Sequence, residues 1–377
     1  RPRIMTQKTF VAGLFAAALM CASSLLSAQA LPKAPPPPPT DTEVMLSKLQ
    51  DPAEVMARAE QWRQSKDYRR YTYALERLVQ LRPYSPTFQY KLAEAYALQD
   101  RKTQAYDTLI KIQKAGLAMN PDQDKDFDLV RNTPAFKYIV EGIVTNSTAW
   151  GEGKIAFKLN QAPELVESMT YDSKRKRFLV GSVRTGEILA VDSQGKTSPF
   201  ASPKSAGALK SVFALAADDA RGFLWVGTAG APQFVDYRAS DLGTGALVKL
   251  DLATGKFIEA YKLPFNGVPK GFGGIAVAAN GTVYASDAFG NVVYQVSGGQ
   301  LRPLFNVPNA TSLRGLAVSP DQKFLYFVDY ELGLRVADLS KSEAEGKTGP
   351  ETVWVQPPGT PAVAEAYLLA WTRTGQR

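Results

Sequence analysis

Four stretches of the chain repeat one outline: "ESMTYDSKRKRFLVGS" from Glu167, "FALAADDARGFLWVGT" from Phe213, "GGIAVAANGTVYASD" from Gly273 and "RGLAVSPDQKFLYFVD" from Arg314. Each is an apolar segment, a polar turn such as "NG" or "PDQK", and a second apolar segment with an aromatic residue near its middle, which is the pattern of an antiparallel hairpin. A second hairpin follows each of them: "ILAVDSQGKTSPF", "LVKLDLATGKFIEAY", "VVYQVSGGQLRPLF" and "LRVADLSKSEAEGKTGPETVWV". The units begin 46, 60 and 41 residues apart, and repeats of that size with two hairpins each predict four-stranded blades of a β-propeller. A β-sandwich, the other common all-β arrangement, does not call for repeated four-strand units. The long second interval comes from the insertion "GAPQFVDYRASDLGTG" at 230–245, a loop expected on one face of the propeller, where such loops shape a mouth.

The chain of 377 residues, 45% hydrophobic, is long enough for a second folded unit ahead of these blades. Residues 1–30 carry basic Arg1, Arg3 and Lys8, the apolar run "FVAGLFAAALM" and small Ala28 and Ala30, which reads as a secretory signal peptide cleaved after Ala30. The alternative is an uncleaved anchor, although the run is short for a bilayer span. The expected location is the periplasm or the extracellular space, with no membrane span after cleavage. Cleavage removes Cys21, the one cysteine, so disulfides and thiolate chemistry are excluded from the mature chain. A proline-rich linker follows at 31–42, with "PPPPP" as a stiff spacer.

From Asp51 the spacing becomes helical. Asp51, Pro52 and Glu54 match a helix start with proline in the first turn, and Leu92, Ala93, Tyr96, Ala105, Leu109 and Ile112 recur on one face. The stretch 51–118 resembles the tetratricopeptide repeat family, with Ala93 and Ala105 where two helices approach closely, and with Tyr71 where the pattern wants a small residue. The resemblance implies a helical domain over 43–141 that engages a protein partner. Two repeats are few to stand alone, so the block is expected to lean on the segment 127–140 or on the domain after it.

The propeller segment, assigned to 142–377, resembles the senescence-marker-protein, gluconolactonase and luciferin-regenerating-enzyme group over about 145–355, carried by "GLAVSPDQKFLYFVDY" and "GGIAVAANGTVYASD". The resemblance implies a six-bladed type of propeller. It also implies, for the enzymes of the group, lactone or ester hydrolysis with one divalent cation (calcium, zinc or manganese) held at the central channel by a Glu of the first blade and Asn or Asp of later inner strands. A hard cation needs several convergent oxygens. Here Glu167 matches, but the corresponding places hold Phe213 with Ala214, Gly273 with Gly274, and Arg314 with Gly315. Arg314 brings a fixed positive charge that pairs with Glu167 or with an anionic ligand; the equal alternative is that Glu167 and Arg314 only satisfy surface turns.

The chain has no histidine, which excludes serine–histidine catalysis and imidazole-bound zinc. The net charge of +8 is spread out, the basic run "SKRKR" at 173–177 falls in a turn, and nucleic-acid binding is not expected. "GKT" at 195–197 and 346–348 lacks the first glycine of a phosphate loop. "DQDKDFD" at 122–128 spaces three aspartates like a calcium loop but has Phe127 at the turn glycine and Thr133 at the closing glutamate. Asn146, Asn280 and Asn309 open glycosylation triplets. Beyond about residue 360 the repeated outline is not seen, so the propeller is expected to be incomplete at the C-terminal end, with about four blades and an exposed inter-blade face that favours self-association. Two functions follow: a non-catalytic binding protein whose propeller channel takes a small or anionic ligand at Glu167 and Arg314, or a metal-dependent lactone or ester hydrolase with Glu167 as a ligand.

Overall fold

The computed structural model describes residues 38–148, 153–160, 164–263, 267–341 and, as backbone, 352–354. The expected leader, residues 31–37 of the spacer, the second "GKT" and everything after Trp354 fall outside the described residues. The chain divides into two units, 1–40 and 41–377, and the second contains a helical block and a propeller. No helix among the described residues is long and apolar enough to cross a membrane.

Six α-helices form the block: α1 (Asp41–Ser47), α2 (Pro52–Gln64), α3 (Tyr68–Leu81), α4 (Pro86–Ala97), α5 (Lys102–Lys114) and α6 (Pro134–Thr145). Three of them start the same way, with proline in the first turn behind a polar cap. The Asp51 carboxylate accepts from Ala53 N at 2.8 Å, Ser85 Oγ from Phe88 N at 3.4 Å and Thr133 Oγ1 from Phe136 N at 3.1 Å. Proline has no N–H to leave unsatisfied there and its φ is already helical, so the three chain reversals are specified locally. Consecutive helices pack against one another from α2 to α6, around Val55, Ala59, Leu75, Ala93, Ala105, Leu109 and Phe136. Tyr71, the residue too large for the repeat pattern, is buried, and Arg63 Nη1 donates to its hydroxyl at 3.2 Å. A bulky ring is accommodated because its polar end has a partner inside the block.

Sixteen strands make four antiparallel sheets in sequence order. Blade 1 is β1 (Val166–Asp172), β2 (Arg177–Ser182), β3 (Ile188–Val191) and β4 (Thr197–Ala201); blade 2 is β5 (Ser211–Asp218), β6 (Phe223–Ala229), β7 (Gly245–Asp251) and β8 (Phe257–Lys262). Blade 3 is β9 (Phe272–Val277), β10 (Val283–Asp287), β11 (Val292–Ser297) and β12 (Gln300–Asn306); blade 4 is β13 (Leu313–Val318), β14 (Phe324–Asp329), β15 (Gly333–Asp338) and β16 (Thr352–Trp354). The described residues thus hold a four-bladed propeller with the strands where the repeated outline puts them, and β1, β5, β9 and β13 neighbour one another in turn at the centre.

The propeller has no single core; its apolar side chains pack in the seams between blades. Leu179, Val212, Leu215, Leu224 and Val248 fill the first seam. Trp225, Leu247, Phe272, Ile275 and Tyr294 fill the second, and Tyr284, Val293, Leu316, Leu325 and Phe327 the third. Each fully buried side chain of this size stabilises by roughly 1.5–3 kcal/mol relative to exposure, so blades are stable mainly as neighbours. Polar clasps reinforce the seams. Ala217 N donates to Thr170 Oγ1 at 3.0 Å, Arg177 Nη2 to Leu252 O at 2.8 Å, Arg221 Nη2 to Ala279 O at 2.6 Å and Asn280 N to Gln322 Oε1 at 2.9 Å. The basic run forms a turn over 173–176 and ends on the first residue of β2, yet two of its arginines are not merely solvated: Arg175 and Arg177 both bind the fully buried Asp172 carboxylate. Met169 and Tyr171 leave much of their side chains exposed on β1, and Phe178 stacks between Tyr171 (4.8 Å) and Phe157 (5.4 Å).

Candidate channel site

The first strand of every blade carries an irregularity at the same place. Val166 and Ser168 face Ser182 and Gly181, so Glu167 has no partner of its own. Val212 and Ala214 face Thr228 and Gly227, leaving Phe213. Phe272 and Gly274 face Asp287 and Ser286, leaving Gly273, and Leu313 and Leu316 face Asp329 and Phe327, leaving Arg314 and Gly315. A β-bulge turns an extra residue out of the pleat and re-aims its side chain. Glu167, Phe213, Gly273 and Arg314 are therefore structurally equivalent, the same four positions that the aligned sequence units match.

The four inner strands enclose a cavity of about 500 Å³, lined by Glu167, Met169, Tyr171, Phe213, Leu215, Ile275, Leu316 and the small residues between them. Such a size, with apolar side chains beside polar groups in the wall, suits a small organic ligand. At the bulged end, Arg314 Nη1 lies 3.8 Å from Glu167 Oε2, with side-chain exposures of 22% and 46%. That separation exceeds the 2.7–2.9 Å typical of a charge-assisted hydrogen bond, so the two groups attract as an ion pair without a direct hydrogen bond between these atoms. Gly273 lets Arg314 cross: a Cβ there would sit 3.2 Å from Arg314 Cδ and 2.5 Å from Leu313 O.

The same end of the propeller carries the turns between second and third strands, and these shape the rim. Phe289, 43% exposed, stands edge-on to Phe213 with ring centres 6.2 Å apart and planes at 85°. Lys270 Nζ binds the buried Asp287 at 3.1 Å. The insertion at 230–245 lies here too: Val235 N donates to Arg184 O at 2.8 Å, and Lys210 Nζ binds Asp241 at 2.5 Å, which contributes to holding the Asp241 carboxyl below its ordinary value. Arg184 pairs with Glu164 at 3.2 Å. The helical block attaches to this end as well. Arg82, just past α3, grips Glu331 in the β14–β15 turn with two nitrogens, Nε at 3.2 Å and Nη2 closer, and the Glu331 side chain is 3% exposed.

The donor set does not fit a divalent cation. Among the described residues lining the cavity, Glu167 supplies the one carboxylate, its equivalents are an aromatic ring, a glycine and a guanidinium, and the guanidinium is 3.8 Å from the carboxylate a cation would need.

A second charged cluster lies inside the helical block. Glu94, 8% exposed, joins Asp124 and Asp126, their carboxylate oxygens all within 4.8 Å. Burial, and then the hydrogen bond and charge of Asp124, push Glu94 up to about 8. Arg63 Nη2 holds Asp126 at 2.7 Å, with Nη1 3.5 Å from Glu94, and the Tyr90 hydroxyl donates to Asp124 at 3.0 Å. Two of the three aspartates spaced like a calcium loop, Asp124 and Asp126, are thus committed to Arg63, Tyr90 and the cap of the short 3₁₀ turn Lys125–Phe127, where Asp124 Oδ1 accepts from Asp126 N at 3.0 Å. Sequence reading missed Glu94, and nothing local to "KLAEAY" signals it. It missed Phe289 for the same reason.

The sequence matches no protein-family model and no curated protein. Similar solved structures include a streptogramin B lyase (TM-score 0.38, 16% identity, 55% of this chain and 59% of that one), the hydrazine synthase of Kuenenia stuttgartiensis (0.36, 15%, 52% and 51%) and a luciferin-regenerating enzyme (0.39, 16%, 56% and 67%). The chain spans little more than half the length of the first two. At these values the likenesses bring no activity, ligand or partner to this chain.

Proposed function

We propose that the chain is a binding protein without catalytic chemistry, acting in the periplasm or outside the cell, whose propeller channel takes a small or anionic ligand and whose helical block engages a protein partner. The channel carries this reading. It is a cavity of about 500 Å³ whose lining side chains are mostly apolar, with Glu167 as its one charged lining residue and Arg314 beside it, a suitable environment for holding a molecule and a poor one for activating water. The proposed location rests on the signal-like leader, and the protein partner rests on the resemblance of 51–118 to tetratricopeptide repeats. A propeller of the gluconolactonase-like group acting as a metal-dependent lactone or ester hydrolase is the rival, and the missing oxygen donors weigh against it.

The two readings separate in one experiment on the full chain. Calcium, zinc and manganese are added singly, and thermal stability and lactone cleavage are followed. The expected result is neither stabilisation nor turnover, while a small-molecule screen yields stabilising compounds whose effect disappears in Met169→Trp, which fills the cavity from a half-exposed position. Cation-dependent stabilisation together with lactone cleavage, both lost in Glu167→Gln, would establish the hydrolase instead.

A further inference from the structure

The ring of inner strands is open between blade 4 and blade 1. The inner strands β5, β9 and β13 each pack against the second strand of the blade before, β2, β6 and β10, whereas among the described residues β1 does not pack in this way against β14. Two residues on from the bulge position, Leu215, Ile275 and Leu316 point back into the preceding seam and are 8%, 8% and 4% exposed. Met169, the equivalent residue of β1, is 48% exposed. Phe157 covers Phe178 on this face at 5.4 Å but leaves much of Met169 and Tyr171 exposed. Across the gap, Tyr326 of β14 is half-buried, where its equivalents Leu179, Trp225 and Tyr284 are buried.

The chain itself carries a segment suited to this gap. After β16 the sequence runs "VQPPGTPAVAEAYLLAW" from Val355 to Trp371. The two-hairpin outline does not recur there, but its first strand does. The residue after each bulge position is small (Ser168, Ala214, Gly274, Gly315) and the next is large and apolar (Met169, Leu215, Ile275, Leu316); Ala366 and Tyr367 repeat that order after Glu365. The distance along the chain agrees. Phe213, Gly273 and Arg314 follow the last strand residue of the preceding blade, Ala201, Lys262 and Asn306, by 12, 11 and 8 positions, and Glu365 follows Trp354 by 11. We propose that residues 365–369 dock against the open face of blade 4 as a fifth inner strand, with Glu365 at the bulge position and with Tyr367 and Leu369 turned toward Ala317 and Tyr326. Alternation puts Leu368 on the opposite side. It is larger than its equivalents Thr170, Ala216, Ala276 and Ala317. The first three of these let the next inner strand approach, as where Ala217 N donates to Thr170 Oγ1 at 3.0 Å, whereas among the described residues no strand follows on the side of Leu368. The ten residues 355–364 tether the segment at a high effective concentration, which favours it over the same segment of a second copy. This docking does not depend on which ligand the channel takes.

Disulfide trapping in the full chain tests the docking, in a Cys21→Ser background so that no other thiol is present. The Thr170–Ala217 contact shows that the positions equivalent to 317 and 369 are direct neighbours. Ala317→Cys with Leu369→Cys is therefore expected to close an intramolecular disulfide under mild oxidant about tenfold or more faster than Ala317→Cys with Leu368→Cys, whose side chain points away. Equal rates, or no disulfide in either pair, would overturn the docking, and a disulfide-linked dimer would assign the gap to a second copy instead. Hydrogen exchange on the unsubstituted chain keeps the test independent of whether the cysteine variants fold. The amides of 366–370 are expected to exchange at least about tenfold more slowly than an unstructured peptide, and exchange at the unstructured rate would overturn the proposal.

Discussion

Replacing Glu94 by glutamine should change how the stability of this protein depends on pH. In the folded chain the Glu94 carboxyl is pushed up to about 8, against an ordinary value of 4.5, first by burial and then by Asp124. Between those two values the folded state holds a proton that the unfolded chain has released, so stability falls as pH rises through that window and levels off above it. Each pH unit of such a difference is worth about 1.4 kcal/mol. The full window therefore approaches about 5 kcal/mol as an upper bound, and relaxation of the surroundings and water entry around an ionised carboxyl reduce it to roughly 2–4 kcal/mol. Glutamine keeps an N–H to donate to Asp124 and has nothing to ionise. Urea unfolding at pH 5, 7 and 9 is the assay. The stability of Glu94→Gln relative to wild type should rise by that amount from pH 5 to pH 9. A difference that stays constant across the three pH values would show that Glu94 ionises normally and would refute the argument.

Two further outcomes test the assembly. Arg82→Ala leaves the Glu331 carboxylate buried without its guanidinium, at a cost of about 3 kcal/mol; in urea the helical block and propeller should then separate into two transitions where wild type shows one, and an unchanged curve would mean the bridge does not couple them. Gly274→Ala places a Cβ against the Arg314 carbonyl and 2.9 Å from Gly315 Cα, both backbone groups of blade 4. This should lower the melting temperature through about 1–3 kcal/mol of overpacking, whereas Gly153→Ala, with nothing within 4 Å, should melt as wild type.

The carboxylate cluster of the helical block shows how a suggestive motif can be structural. Asp124 and Asp126 are separated by one residue, as in a calcium loop. Yet one caps a turn and receives Tyr90, and the other pairs with Arg63 from α2. The cluster joins α2, α4 and the turn after α5, and the last two also meet through Tyr90 and Phe127, ring centres 5.7 Å apart. A buried network of this kind is costly if any member is left unsatisfied, which favours a single arrangement of the helices.

Much of this architecture was legible in the sequence because it is local. Alternating apolar residues, the "NG" turn whose Gly281 takes φ +94°, and the Asp51-Pro52, Ser85-Pro86 and Thr133-Pro134 starts each act within a few residues. Four copies of one outline were enough to read blades of four strands, and to align Glu167, Phe213, Gly273 and Arg314. Distance in sequence hid the rest. Arg82 and Glu331 are 249 positions apart, and Arg63 and Asp126 are 63 apart; neither residue of either pair carries a mark of the other. The bulges that turn four side chains to one end arise from strand pairing, and the nearness of opposite charges there depends on how tightly the blades pack. Only the tertiary structure decided these, because blade packing and helix docking set the separation of charges, and separation determines whether a carboxylate finds a guanidinium, a proton or water.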